Sequence, residues 1–299
     1  MASDVSKSPS EVTGSQGRLI LCGTPIGNLG DAPPRLREAL ESATVIAAED
    51  TRRTRRLMAS LGVQSTARVI SCFDATERAR ADELVTAALD GAVVALVTDA
   101  GMPAVSDPGF RVVAAFAIAG LEVTVVPGPS SVTAAVAVSG LASDRWCVEG
   151  FLSRSGGERR RRIAELATEQ RTMVFLESPH RIAAMLDDLS AAFGGDRPAV
   201  ACRELTKLHE EVVRGSIDEL VTWCASKKLK GELTLVVAGA PPGEPTQHTA
   251  EQLAELVKRT GLPSKEGIAA VAKSTGVAKR DVYAAVVAGK AGKIAGADH

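Results

Sequence analysis

Residues 97–109 read Val-Thr-Asp-Ala-Gly-Met-Pro-Ala-Val-Ser-Asp-Pro-Gly, and this stretch decides the fold. It leaves the apolar run 92–97, which is too short and too uniformly apolar for an amphipathic helix and fits a strand covered on both faces. In open α/β sheets, ligands bind beyond the carboxyl ends of strands, where Asp99 falls. Gly101 and Gly109 let backbone approach a ligand closely, and Pro103 and Pro108 stiffen the loop so that less entropy is lost on binding. A single Asp-X-Gly is an ordinary strand-to-helix turn. Two Pro, two Gly and two Asp within 11 residues favour a binding loop.

Outward from that strand, apolar runs near 19–22, 44–48, 68–71 and 122–126 alternate with helical patterns at 33–41, 51–61, 76–89 and 107–119. With right-handed crossovers this βαβα order predicts a parallel sheet. Pro127-Gly128-Pro129 closes the fifth strand and predicts a boundary between α/β domains at 18–128 and 129–240. Strands of the second are expected near 145–149, 172–176, 198–202, 208–214 and 232–238. Residues 1–17 are Ser, Gly and polar and read as a disordered tail, while Pro241-Pro242-Gly243-Glu244-Pro245 reads as a linker to a helical appendage at 246–299. In that appendage Leu253, Leu256 and Val257 share one helical face, as do Ile268 and Val271, and Val282 and Val286. Thr275-Gly276 breaks the last two helices at helix-turn-helix spacing, a pattern open both to a plain packed bundle and to a module presenting Lys279 and Arg280 to a phosphate backbone.

Across 299 residues, 45% hydrophobic content and the strand and helix alternation predict a soluble α/β protein. The 35 basic and 36 acidic residues nearly cancel, but residues 246–299 carry a net of plus three. Five cysteines without a C-x-x-C pair and four scattered histidines predict neither a metal site nor a disulfide framework, and lone thiols suit a reducing cytoplasm. The N-terminus, with Asp4 and Glu11, does not read as a signal peptide, and no apolar stretch approaches the ~18 residues of a membrane helix.

Three strand-end loops carry glycine and proline as a cofactor cleft would: Gly23–Asp31, the Asp99 loop and Pro127–Ser131. None reads G-x-G-x-x-G, and no G-x-x-x-x-G-K-[ST] occurs, so neither a dinucleotide Rossmann site nor a P-loop is supported. Together with EDTR (49–52), ESPHR (177–181), RELTKLHEE (203–211) and GELTLVVAG (231–239), the loops resemble the tetrapyrrole methylase superfamily. The EDTR and ESPHR segments resemble its ribosomal RNA branch. The resemblance spans residues 19–239 and implies two α/β domains with a cleft for S-adenosylmethionine between them, plus the helical appendage. It implies cofactor contacts at Pro25, Ile26, Asp99, Gly101, Met102, Ser130, Ser131, Leu176 and Thr234. It further implies 2′-O-methylation of a decoding-centre cytidine of 16S rRNA, in the 30S subunit, by a homodimer.

A ribose hydroxyl is a poor nucleophile at neutral pH, so a group must take its proton or stabilise the oxyanion. Lys207 is the only lysine between Lys7 and Lys227 and is a candidate cation for that role, with a surface lysine as its alternative. Glu49 and Asp50 follow a strand and are candidate bases, although Asp50 also reads as a helix cap; Glu177 is the third candidate, and His180 a proton shuttle. The runs containing Arg52 and Arg53, and Arg159 and Arg160, are candidate phosphate contacts with Lys279 and Arg280. Only nine aromatics argue against base-stacking modules. Two other functions fit less of the pattern: a tetrapyrrole C-methyltransferase, and a non-catalytic RNA-binding assembly factor on a decayed methylase core.

Overall fold

A computed structural model describes residues 16–241, 249–275 and 277–294. Most of the expected N-terminal tail, four of the five linker residues and Gly276 lie outside them. The chain divides into two compact units, residues 1–239 and 240–299.

The first unit opens with a five-stranded parallel sheet of β1 (Arg18–Cys22), β2 (Val45–Ala48), β3 (Arg68–Ser71), β4 (Val93–Val97) and β5 (Glu122–Val126), ordered β3-β2-β4-β1-β5. Period-two alternation sends its side chains to two cores. Leu19, Val94, Leu96, Val45 and Ala47 meet helices α3 (Glu77–Leu89) and α4 (Phe110–Ile118), while Ile20, Ala95, Val97 and Ile46 form the other core with Leu36 and Leu40 of α1 (Pro34–Ser42). Covering both faces makes the strands read as unbroken apolar runs. Each fully buried side chain such as Phe116 contributes about 1.5–3 kcal/mol of burial free energy. Helix α2 (Thr51–Ser60) connects β2 to β3.

The second sheet is mixed. Strands β6 (Trp146–Phe151) and β7 (Thr172–Glu177) are parallel, and β10 (Leu233–Val237) inserts antiparallel between β7 and β8 (Pro198–Arg203), with β9 (Glu211–Ser216) at the edge. Helices α6 (Gly156–Leu166), α7 (Ile182–Phe193) and α8 (Ile217–Ala225) contribute to the core on one face. On the other, α5 (Ser131–Ser139) brings Val132, Ala135 and Val136 against Val174, Val200 and Val236, and Ile26 from the loop after β1 joins that core. Ala100, in the loop after β4, packs against the same core.

Two boundaries differ from the sequence reading by three residues. Helix α4 begins at Phe110 rather than 107, because Pro108 and Gly109, with φ of 140° at Gly109, stay in the loop. Strand β9 begins at Glu211 rather than 208, because 204–210 forms a tight turn with φ of 51° at Glu204 and 67° at Thr206.

The second unit packs α9 (Ala250–Arg259), α10 (Ser264–Thr275) and α11 (Lys279–Ile294) around Leu253, Val257, Ile268, Val271, Val282 and Ala285, the faces expected from helical spacing. Its first helix carries a capping box in which the Gln252 N–H donates to Thr249 Oγ1 and the Thr249 N–H donates to Gln252 Oε1.

Candidate active site

The three glycine- and proline-bearing loops are bound to one another through backbone. Thr24 and Gly101 exchange N–H···O bonds of 2.9 and 3.2 Å, tying the loop after β1 to that after β4. Gly23 and Gly128 lie so close that a Cβ on Gly23 would sit 2.5 Å from the Gly128 nitrogen. The Gly128 N–H donates to Met102 Sδ at 3.2 Å and completes the triangle. Glycine is required at Gly23 and Gly128 because two backbones touch there.

These loops, the N-terminus of α5 and the edges of β7 and β10 enclose a cavity of about 340 Å³, within the range of small-molecule sites. Of the nine candidate cofactor residues, Ile26, Gly101, Met102, Ser130, Ser131, Leu176 and Thr234 line it. Thr234 faces Leu176 across the β10 and β7 pair, so one register brings both to the wall. Ser130 precedes α5 without capping it through its side chain, which leaves the first-turn N–H groups of that helix unsatisfied by a cap.

Pro25 and Asp99 fall elsewhere, on a neighbouring pocket of about 170 Å³ shared with Arg53, Thr54 and Leu57. Here the ends of β2 and β4 clasp each other. The Asp99 N–H donates to Glu49 Oε2 at 3.0 Å, and the Asp50 N–H donates to Asp99 Oδ1 at 3.2 Å. Arg53 Nη1 donates to Asp99 Oδ2 at 2.7 Å. Asp50 caps α2 by accepting from the Arg52 and Arg53 N–H groups, and the Arg52 guanidinium together with these bonds holds its carboxyl down at about 2. Burial pushes the Glu49 carboxyl up, against the bond from Asp99. Neither Glu49 nor Asp50 lines the large cavity.

Glu177 does line it, but the carboxylate is committed: Oε1 accepts from the Ser178 N–H at 2.8 Å, and Oε2 lies 3.2 Å from Arg181 Nη2 as an ion pair without hydrogen-bond alignment. Lys207 stands at the rim, donating to Glu204 at 2.8 Å and to the cavity residue Glu232 at 3.1 Å. Its stem lies on Gly27, where a Cβ would be 2.3 Å from Lys207 Cγ, so two motifs 180 positions apart in sequence meet at this contact. Partial burial lowers the Lys207 pKa, but the two carboxylates outweigh it and raise it, so the side chain stays cationic. His180 is exposed and does not line the cavity.

Residues 18–221 match the family described as Tetrapyrrole (Corrin/Porphyrin) Methylases.

The chain belongs to the tetrapyrrole methylase family.

Within that family it is 50% identical over 274 residues to a Mycobacterium tuberculosis (strain CDC 1551 / Oshkosh) protein named Ribosomal RNA small subunit methyltransferase I, covering 91% of this chain and 95% of that one. A Xylella fastidiosa (strain Temecula1) protein of the same name is 41% identical over 89% of this chain and 98% of its own. Uroporphyrin-III C-methyl transferase from Thermus thermophilus, solved with S-adenyl homocysteine, shares the fold with a TM-score of 0.53 at 19% identity, over 74% of this chain and 97% of that one.

In this methylase the basic candidates separate by exposure. Arg159 is buried, with Nε 2.7 Å from Asp188 Oδ2, and Nη2 directed at the Ala184 carbonyl at 3.5 Å. That corrects its reading as a phosphate contact: the guanidinium is spent inside the fold. Arg160 is exposed with no partner among the described residues, as are Arg55 and Arg56, whereas Arg52 and Arg53 are paired to Asp50 and Asp99. Lys279 and Arg280 are exposed at the start of α11, with Arg280 Nε 3.4 Å from Asp281.

Sequence reasoning passed over Asp107. It lines the large cavity, and burial together with the carboxylates of Glu49, Asp99, Asp74 and Glu232 pushes its carboxyl up to about 7. The available signal was the second Asp of the 97–109 loop, which the helical pattern absorbed as a helix start.

Proposed function

We propose that this methylase transfers the methyl group of S-adenosylmethionine to the 2′-hydroxyl of a cytidine in the decoding centre of 16S rRNA, on the 30S subunit, and that it works as a cytoplasmic homodimer. The observation that carries the reading is near-full-length identity of 50% with a protein named for small-subunit rRNA methylation.

The large cavity fits the cofactor on its own chemistry. The uncapped N-terminus of α5 favours a carboxylate through its free N–H groups and dipole. The Thr234 hydroxyl, which has no protein partner among the described residues, and the Ser130 hydroxyl suit ribose or amino donors. Ile26, Met102 and Leu176 supply apolar wall for a flat base. When bound, the cofactor supplies an electrophilic methyl group on a sulfonium.

The protein supplies alignment and charge. Loops joined by the Thr24 and Gly101 pair hold the cavity's floor fixed. Lys207, kept cationic by Glu204 and Glu232, has a third ammonium N–H to donate at the rim where a phosphodiester or developing oxyanion would lie. Arg55, Arg56 and Arg160 remain free for phosphates, the contacts that hold RNA in register without reading sequence.

The test incubates purified protein and methyl-labelled S-adenosylmethionine with 30S subunits from cells lacking the enzyme, then maps the labelled nucleotide. Label on a decoding-centre cytidine ribose is expected. Labelled tetrapyrrole with unlabelled RNA would refute the reading. Sedimentation at micromolar concentration tests the dimer.

A further inference from the structure

We propose that Asp107 is the general base that removes the proton from the ribose 2′-hydroxyl during methyl transfer. The assignment rests on the rRNA methyltransferase reading above and adds the residue that handles the proton.

Three carboxylates line the cavity, and two carry a cation: Glu177 is ion-paired to Arg181 and Glu232 to Lys207. The Asp107 carboxylate accepts no hydrogen bond and forms no ion pair among the described residues, although the residue is only partly exposed. A half-buried carboxylate facing a ligand cavity without a partner is held for something that enters the cavity.

Its freedom has a structural cause. The N-cap of α4 is Gly109, which has no side chain to cap with, and Asp107 lies two residues before it. Here the buried Glu77 of α3 takes the task from 32 positions away, its Oε1 accepting from the Gly109 and Arg111 N–H groups at 2.8 Å each. The intervening loop holds Ala104 and Ser106 at φ of 64°, a conformation strained for non-glycine residues that persists only where surroundings impose it. The surroundings are the Ala104 N–H bond to Pro108 O, the Val105 N–H bond to Met102 O, and the Glu77 anchor. The outcome is a rigid loop that presents Asp107 to the cavity with its lone pairs unused.

The charged groups around it agree with the role. Glu49 at the end of β2, Asp99 at the end of β4, Asp74 before α3 and Glu232 before β10 all repel its ionised form. A carboxyl titrating at about 7 is well matched to accept a proton at neutral pH. A positive charge placed in the same cavity lowers that value and favours the basic form.

The step balances. The 2′-oxygen lone pair forms the new O–CH3 bond, the O–H electrons remain on oxygen, and the proton passes to the Asp107 carboxylate. The S–CH3 bond breaks with its pair on sulfur, leaving a neutral thioether. One positive and one negative charge are lost together, which a cavity walled by Ile26, Leu176 and Val132 favours over water.

The experiment measures single-turnover methylation of unmodified 30S subunits from pH 5.5 to 9 at saturating S-adenosylmethionine, with wild type, Asp107→Asn and Asp107→Glu. Calorimetric S-adenosylhomocysteine affinity and carboxyl-13C NMR of aspartate in the free protein accompany it. Expected are a roughly 100-fold or greater loss in Asp107→Asn with its pH inflection abolished, partial rescue in Asp107→Glu, and cofactor affinity within about threefold of wild type. One aspartate should titrate far above the rest and vanish in Asp107→Asn. An active wild type with an equally fast Asp107→Asn variant overturns this assignment alone. So does a tenfold loss of affinity with the inflection retained, which makes Asp107 a cofactor ligand. A wild type that leaves 30S subunits unlabelled overturns the rRNA reading and this assignment with it.

Discussion

The large cavity and the small pocket beside it draw on the same loops yet spend their polar groups differently. In the small pocket, Asp99, Glu49, Asp50 and Arg53 satisfy one another and fix the ends of β2 and β4. In the large cavity, Ser130, Thr234 and Asp107 are left open, among apolar walls. Saturated polar clusters make scaffold, whereas unsatisfied groups in a rigid frame make a site. Asp99 and Asp107, eight residues apart in one loop, fall on opposite sides of that division.

The strongest way to break the arrangement strikes the frame common to both. Gly23→Val drives a side chain into the Gly128 backbone and is expected to cost about 1–3 kcal/mol and to abolish S-adenosylhomocysteine binding, read by thermal melting and calorimetry. The next pair separates the two regions. Asp99→Asn removes the clasp's charge and, after allowance for the exposure of Arg53, is expected to cost about 1 kcal/mol of stability with affinity little changed. Thr234→Val is expected to do the reverse, losing up to about tenfold in cofactor affinity through one hydrogen bond while the melting temperature holds.

A subtler effect follows from Asp107. Its folded pKa of about 7 lies above the unfolded aspartate value of about 3.9, so the protonated form is favoured by folding. Its contribution to stability is complete below the unfolded value and is lost as pH rises through about 7. Asp107→Asn is therefore expected to raise stability at pH 8 by about 1–2 kcal/mol, after discounting for solvent screening, and to leave it unchanged near pH 4. An equal gain at both values would show that the residue carries no such penalty.

The fold was legible because its determinants are local. Apolar runs such as 93–97 and turn residues such as Gly128 mark strands and their ends whatever the rest of the chain does. The site was legible where backbone geometry dictates residue type, as at Gly101 with φ of 84°. It was not legible where a distant partner decides. Glu77 takes over the cap of α4, and nothing in the residues near 107 announces this, so Asp107 read as the start of a helix. Asp99 reads as a ligand in the sequence, where its bond to Arg53 of α2, 46 positions away, leaves no signal. Arg159 is different: it shares a helical face with Ile163 and Leu166, all three buried, so period 3.6 held the warning that one member of the run points inward.

The proposed cofactor site is the large cavity and not the small pocket. Val105 and Leu29 are exposed residues, 43% and 51% accessible, that line the first and second respectively, so tryptophan at either place fills one space without burdening the core. Calorimetric titration of S-adenosylhomocysteine into Val105→Trp and Leu29→Trp tests the claim most directly. At least a tenfold loss of affinity is expected for Val105→Trp and about wild-type affinity for Leu29→Trp. Intact binding in Val105→Trp with loss in Leu29→Trp would contradict it.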